Sequence, residues 1–70
     1  MPISARNQLS GTVTNLKKGI VTAEVTVELE GGQEIVSVIT LTSVENLGIE
    51  VGSSVYAVVK ATEVMLGIDE

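Results

Sequence analysis

The 70-residue chain has no cysteine, histidine, tryptophan or phenylalanine, and only one proline. Without cysteine and histidine there is no disulfide framework, no common zinc ligand set, no thiol nucleophile and no Ser–His triad. No carboxylate pair has a supporting acid or base partner either, so the expectation is a binding protein and not an enzyme. A single aromatic, Tyr56, removes the base-stacking platforms that single-stranded nucleic acid needs. Cations are equally scarce: Arg6, Lys17, Lys18 and Lys60 face nine acidic side chains, for a formal net charge of -5. That balance repels phosphate backbones and excludes a nucleic-acid partner. The longest unbroken apolar run, Val55 to Val59, falls far short of the roughly 20 residues of a membrane helix, and the N-terminus lacks a signal-type apolar core. The expectation is a soluble, cytoplasmic protein without a membrane partner.

What is abundant is β-branching. Twelve valines, six isoleucines and seven threonines suit a pleated, half-buried surface better than a helix. Residues 8–16 read as a first strand in which Gly11 marks a bulge or a close approach. Lys17-Lys18-Gly19 turns the chain, and Ile20 to Leu29 alternates apolar and polar residues with period two, the clearest strand signal present. Gly31-Gly32 sits where a two-residue hairpin with positive φ would sit, and Glu34 to Thr40 continues as a third strand. Thr42-Ser43-Val44-Glu45 has the form of a capping box, with Leu47-Gly48 closing one short helix. Val55 to Ala61 is a fourth strand, and Val64-Met65-Leu66 is an apolar segment suited to closing the sheet as a fifth. The expected fold is all-β: one domain over residues 1–70, an OB-like five-stranded small barrel with one short helix. A domain of this size buries only about 60% of the surface its extended chain exposes, and without disulfides or metal it needs another staple; oligomerisation remains.

Arg6 and Lys60 stand apart from the double-lysine turn, in surroundings free of acids and rich in small hydroxyls. Arg6 lies in Ser4-Ala5-Arg6-Asn7, where a guanidinium fork, a hydroxyl and backbone N–H groups come together. Lys60 stands at the exit of an apolar strand, where a snorkelling cation is the ordinary explanation. Thr40, Thr42 and Ser43 surround the helix start; capping accounts for Thr42 and leaves Thr40 and Ser43 over. Two cations, several hydroxyls and a helix start suit a small dianion. Neither phosphate-loop glycine pattern, GxxxxGK[ST] or GxGxxG, is present.

The segments Ser4-Ala5-Arg6-Asn7-Gln8-Leu9-x-Gly11, Lys18-Gly19, Ala23-Glu24-Val25, Ile39-Thr40-x-x-Ser43, Leu47-Gly48 and Val59-Lys60-Ala61-x-x-Val64-Met65 span nearly the whole chain. Together they resemble molbindin, the Mop-type version of the TOBE domain. The resemblance implies intracellular binding and storage of molybdate, with tungstate as its analogue, by a homo-hexamer built as a trimer of dimers, and no cofactor. It further implies an oxyanion site between subunits, with Ser4, Ala5, Arg6, Lys60 and Ala61 from one chain and Thr40 and Ser43 from its neighbour. A second site on the threefold axis would use Asn7, Lys18, Gly19 and Ile20. Ala61 departs from relatives that carry serine there, so a backbone N–H must serve without a hydroxyl. Molybdate, fully deprotonated at neutral pH, is satisfied by donors alone, whereas protonated phosphate would leave its O–H without an acceptor. The competing reading is a structural or regulatory interaction module without a ligand, its cations engaged in ion pairs.

Overall fold

A computed structural model describes residues 2–69. Four antiparallel strands form one sheet: β1 (Asn7–Lys18), β2 (Thr22–Leu29), β3 (Glu34–Thr40) and β4 (Ser54–Val59), in spatial order β3-β2-β1-β4. One short helix, α1 (Leu41–Leu47), follows β3, and a 3₁₀ turn over Ala61–Glu63 follows β4.

The period-two alternation of β2 decides which face is inside. Ala23, Val25 and Val27 are buried, while Thr22, Glu24 and Glu28 on the other face are exposed. Val13 of β1 joins Val25 and Val27, and Leu16, Leu29, Ile35, Ile39, Ile49 and Val55 pack around them. Val44 of α1 is 2% exposed, so the helix contributes one buried side chain to the core. The sheet curls until its two outer strands, β3 and β4, face each other across an apolar groove.

Gly11 realises the close approach. A Cβ at this position would stand 2.6 Å from the carbonyl oxygen of Glu28 and 2.7 Å from Cγ1 of Val27, so only hydrogen fits. The bulge falls elsewhere, between Val13 and Asn15 in the β1–β2 ladder. There the backbone of Val13 turns to Gly52 and Ser53, accepting from Gly52 N at 2.8 Å and donating to Ser53 O at 2.9 Å.

Several sequence-based expectations need correction. The β2–β3 hairpin forms and both glycines have positive φ, 94° and 90°, but Leu29 N–H bonds to Gln33 O, so three residues rather than two lie in the loop. Ile20 and Val21 belong to the β1–β2 turn, not to β2, and are 95% and 70% exposed. The helix begins one turn-half earlier than the capping box suggested: its N-cap is Thr40, whose Oγ1 accepts from Ser43 N, so Thr42 is not the cap. Among the described residues the curled sheet has four strands, not five. Val64-Met65-Leu66 lies outside the sheet, after the 3₁₀ turn at Ala61–Glu63 that ends the run of β4.

Candidate functional site

The strand register sorts the candidate residues into two groups. Asn7 pairs with Val59 at the end of the β1–β4 ladder, so Arg6, one residue before Asn7, and Lys60, one after Val59, leave that ladder side by side. Ser4 and Ala5 precede Arg6, and Ala61 follows Lys60 into the 3₁₀ turn. The segment before β1 is tied down by Gln8, whose Nε2 donates to the Ala5 carbonyl at 2.7 Å. In the 3₁₀ turn Glu63 N–H donates to Lys60 O at 2.9 Å and Val64 N–H to Ala61 O at 3.4 Å, which leaves the N–H groups of Ala61 and Thr62 outside the turn's own bonds. Arg6, Lys60 and Ala61 are exposed. This end of the sheet therefore presents a guanidinium, an ammonium, the Ser4 hydroxyl and backbone N–H groups.

The second group assembles at the other end. Thr22 pairs with Thr40 where β3 runs into α1, and Leu41 N–H donates to Val21 O at 2.9 Å, which fastens the helix start to the β1–β2 turn. Thr40 Oγ1 accepts from Ser43 N at 3.0 Å and donates to Ser43 Oγ at 2.9 Å. The Thr40 hydroxyl is thereby used on both sides, and the Ser43 hydroxyl hydrogen remains to donate outward. Lys18, Gly19 and Ile20 lie in the same neighbourhood through the Gly19 N–H to Thr22 O bond of 2.8 Å. Asn7 does not: it starts the strand that Lys18 ends.

The two groups stand at opposite ends of the sheet. Asn7 and Lys18 are the two ends of the 12-residue β1, roughly 35 Å apart along the strand before curvature, in a molecule 39 Å in its longest dimension. One chain thus brings Ser4, Ala5, Arg6, Lys60 and Ala61 together, and brings Thr40 together with Ser43, but does not join the two sets. A dianion held by both needs two copies in contact. Gln8 escaped the sequence reading as a contributor; its one signal was a long amide side chain immediately after the Ser-Ala-Arg-Asn segment. Thr40 was singled out as a donor, and its role as the cap was missed because Thr42 offered the more familiar spacing to a glutamate.

Among the described residues no group of three or more Asp and Glu side chains is arranged to hold a metal ion, and no buried side-chain polar atom lacks a hydrogen-bond partner. Among the described residues no helix is long and apolar enough to cross a membrane.

A small curled antiparallel sheet with one short helix and donor groups gathered at its two ends defines a β-sheet binding module. The TOBE domain model matches residues 3–66, and the chain belongs to that family, among its Mop-type members. Molybdenum-pterin-binding protein 2 of Clostridium pasteurianum is 59% identical over 66 residues, which is 94% of this chain and 97% of the relative. The solved structure of MopII from Clostridium pasteurianum superposes with a TM-score of 0.91 at 57% identity, covering 96% of this chain and 100% of the other. The molybdate-bound structure of the cytoplasmic molybdate-binding protein ModG gives a TM-score of 0.94 at 48% identity, covering 99% of this chain and 49% of that one.

Proposed function

We propose that this protein binds and stores the tetrahedral oxyanion molybdate, or tungstate, in the cytoplasm, without catalysing a reaction. The observation that carries the reading is the division of the donors: a cationic set of Arg6, Lys60, Ser4 and the Ala5 and Ala61 backbone at one end, and the Ser43 hydroxyl held by Thr40 at the other. Placed face to face by two copies, these sets surround a dianion with hydrogen-bond donors. Relatives and structural neighbours named for molybdenum-pterin or molybdate binding support the identity of the anion. No aromatic side chain stands at either end to stack a pterin ring, since Tyr56 pairs with Ser10 within the β1–β4 ladder. The inorganic anion is therefore the favoured ligand.

The assembly that completes such a site is a homo-hexamer, a trimer of dimers. Lys18, Gly19 and Ile20, together at the β1–β2 turn, are the chain's contribution to a second site on the threefold axis; Asn7 reaches it only from another copy. Sulfate has the same charge and shape but is smaller, so discrimination falls to the spacing between the two half-sites. Titration calorimetry with sodium molybdate tests the reading: saturable binding is expected for the native protein, and absence of heat together with an unchanged melting temperature would leave the fold as an interaction module.

A further inference from the structure

We propose that Gln8 is a positioning residue of the oxyanion site: its side-chain amide holds the Ala5 carbonyl back and so turns the Arg6 N–H, the other end of the same peptide, toward the anion. The proposal rests on the oxyanion reading above and adds to it the residue that shapes one wall of the site.

Gln8 stands on the sheet, paired with Val58 in the β1–β4 ladder, whereas residues 2–6 precede β1 and enter no helix or strand. Its Nε2 donates to the Ala5 carbonyl at 2.7 Å. Among the described residues no other side-chain hydrogen bond, and no turn or loop bond of the backbone, reaches Ser4, Ala5 or Arg6. The bond also fixes an orientation. The peptide bonds of the described residues are trans, and in a trans peptide C=O and N–H point in opposite directions. With the Ala5 oxygen turned to Gln8, the Arg6 N–H points to the other side, where no turn or loop bond engages it. Gln8 is exposed and lies outside the buried core, so its amide is not needed for packing.

The orientation matters for a tetrahedral dianion. A backbone N–H aimed at an oxyanion is a charge-assisted donor, while a backbone C=O in its place brings lone pairs and no proton. An untethered Ala5–Arg6 peptide samples both orientations, and binding must then order it. Gln8 does that ordering in advance, which raises affinity. The same bond acts on selectivity. Inorganic phosphate keeps a proton at neutral pH and needs an acceptor for its O–H; the Ala5 carbonyl is an acceptor that Gln8 keeps turned away.

Gln8→Met keeps the length and neutrality of the side chain and removes its donor. In the anion-free protein, NMR relaxation should show the backbone N–H groups of Ala5 and Arg6 ordered in the native chain and flexible in the variant, with order parameters below about 0.6, while buried Val13 is unchanged. Equal order parameters in the two proteins would overturn the proposal. In binding, the variant should hold molybdate about tenfold more weakly, the size of one hydrogen bond's contribution. Inorganic phosphate should lose less, so the ratio of phosphate to molybdate dissociation constants falls. A merely structural role lowers both affinities together; an unchanged ratio, or an unchanged molybdate affinity, contradicts the positioning role. A native protein that takes up no molybdate overturns the oxyanion reading and this use of Gln8 with it, whereas normal native binding with an unchanged ratio overturns the use of Gln8 alone.

Discussion

In the proposed site Arg6 should contribute most to anion binding, because a guanidinium offers a planar fork of donors to two oxygens of one tetrahedral anion. Its side chain is exposed and outside the core, so Arg6→Ala should weaken molybdate binding by about 1.5 to 3 kcal/mol, the usual range for hydrogen bonds to charged groups. The melting curve should stay where it is. Calorimetry beside thermal unfolding checks both halves of that expectation. Thr40 and Ser43 separate in the opposite sense. Thr40→Ala removes the N-cap and should cost about 1 kcal/mol of stability. Ser43→Ala leaves the Ser43 N–H to Thr40 Oγ1 bond intact and should cost affinity with little loss of stability. Urea titrations at fixed protein concentration, paired with binding isotherms, distinguish the two roles.

The elements were legible where a local rule has one outcome. Strict alternation through Ala23, Val25 and Val27 marked a strand with one buried face, and the structure buries those three. Gly48 marked the helix end, and it has the left-handed φ of 65° that a C-terminal glycine supplies. Legibility failed where two local rules competed or where the deciding partner was distant. Thr42 and Thr40 both satisfy capping chemistry, and the β3 ladder, which runs to Thr40, settles the choice. Val21 continues the alternation of β2 but, like Ile20, lies beyond its ladder, so periodicity alone extended the strand too far. Gly11 could be read as a bulge or as a close approach, and the carbonyl of Glu28 across the ladder decides for the second. Gly11→Ala should therefore destabilise the protein by about 1 to 3 kcal/mol, as overpacking does, with a lower urea midpoint and an unchanged slope.

Fourteen large apolar side chains are exposed on the described residues while five residues form the buried core. That imbalance adds to the expectation of assembly drawn from the chain's small size and its lack of disulfide or metal staples. Complementation follows from the division of the proposed site between the two ends of the sheet. Lys60→Met damages one half-site and Ser43→Ala the other, so refolding the two variants together creates some pockets with both halves intact. Binding isotherms of the mixture should be biphasic, with one class near native affinity; a single weakened class would mean that each pocket belongs to one chain.

Native mass spectrometry across a protein dilution series, with and without molybdate, addresses the division of the site most directly. The expected result is an assembly of six chains, about 44 kDa from 7.3 kDa each, that carries molybdate, while any chains released on dilution carry none. A folded 7.3 kDa monomer that retains the anion would contradict it.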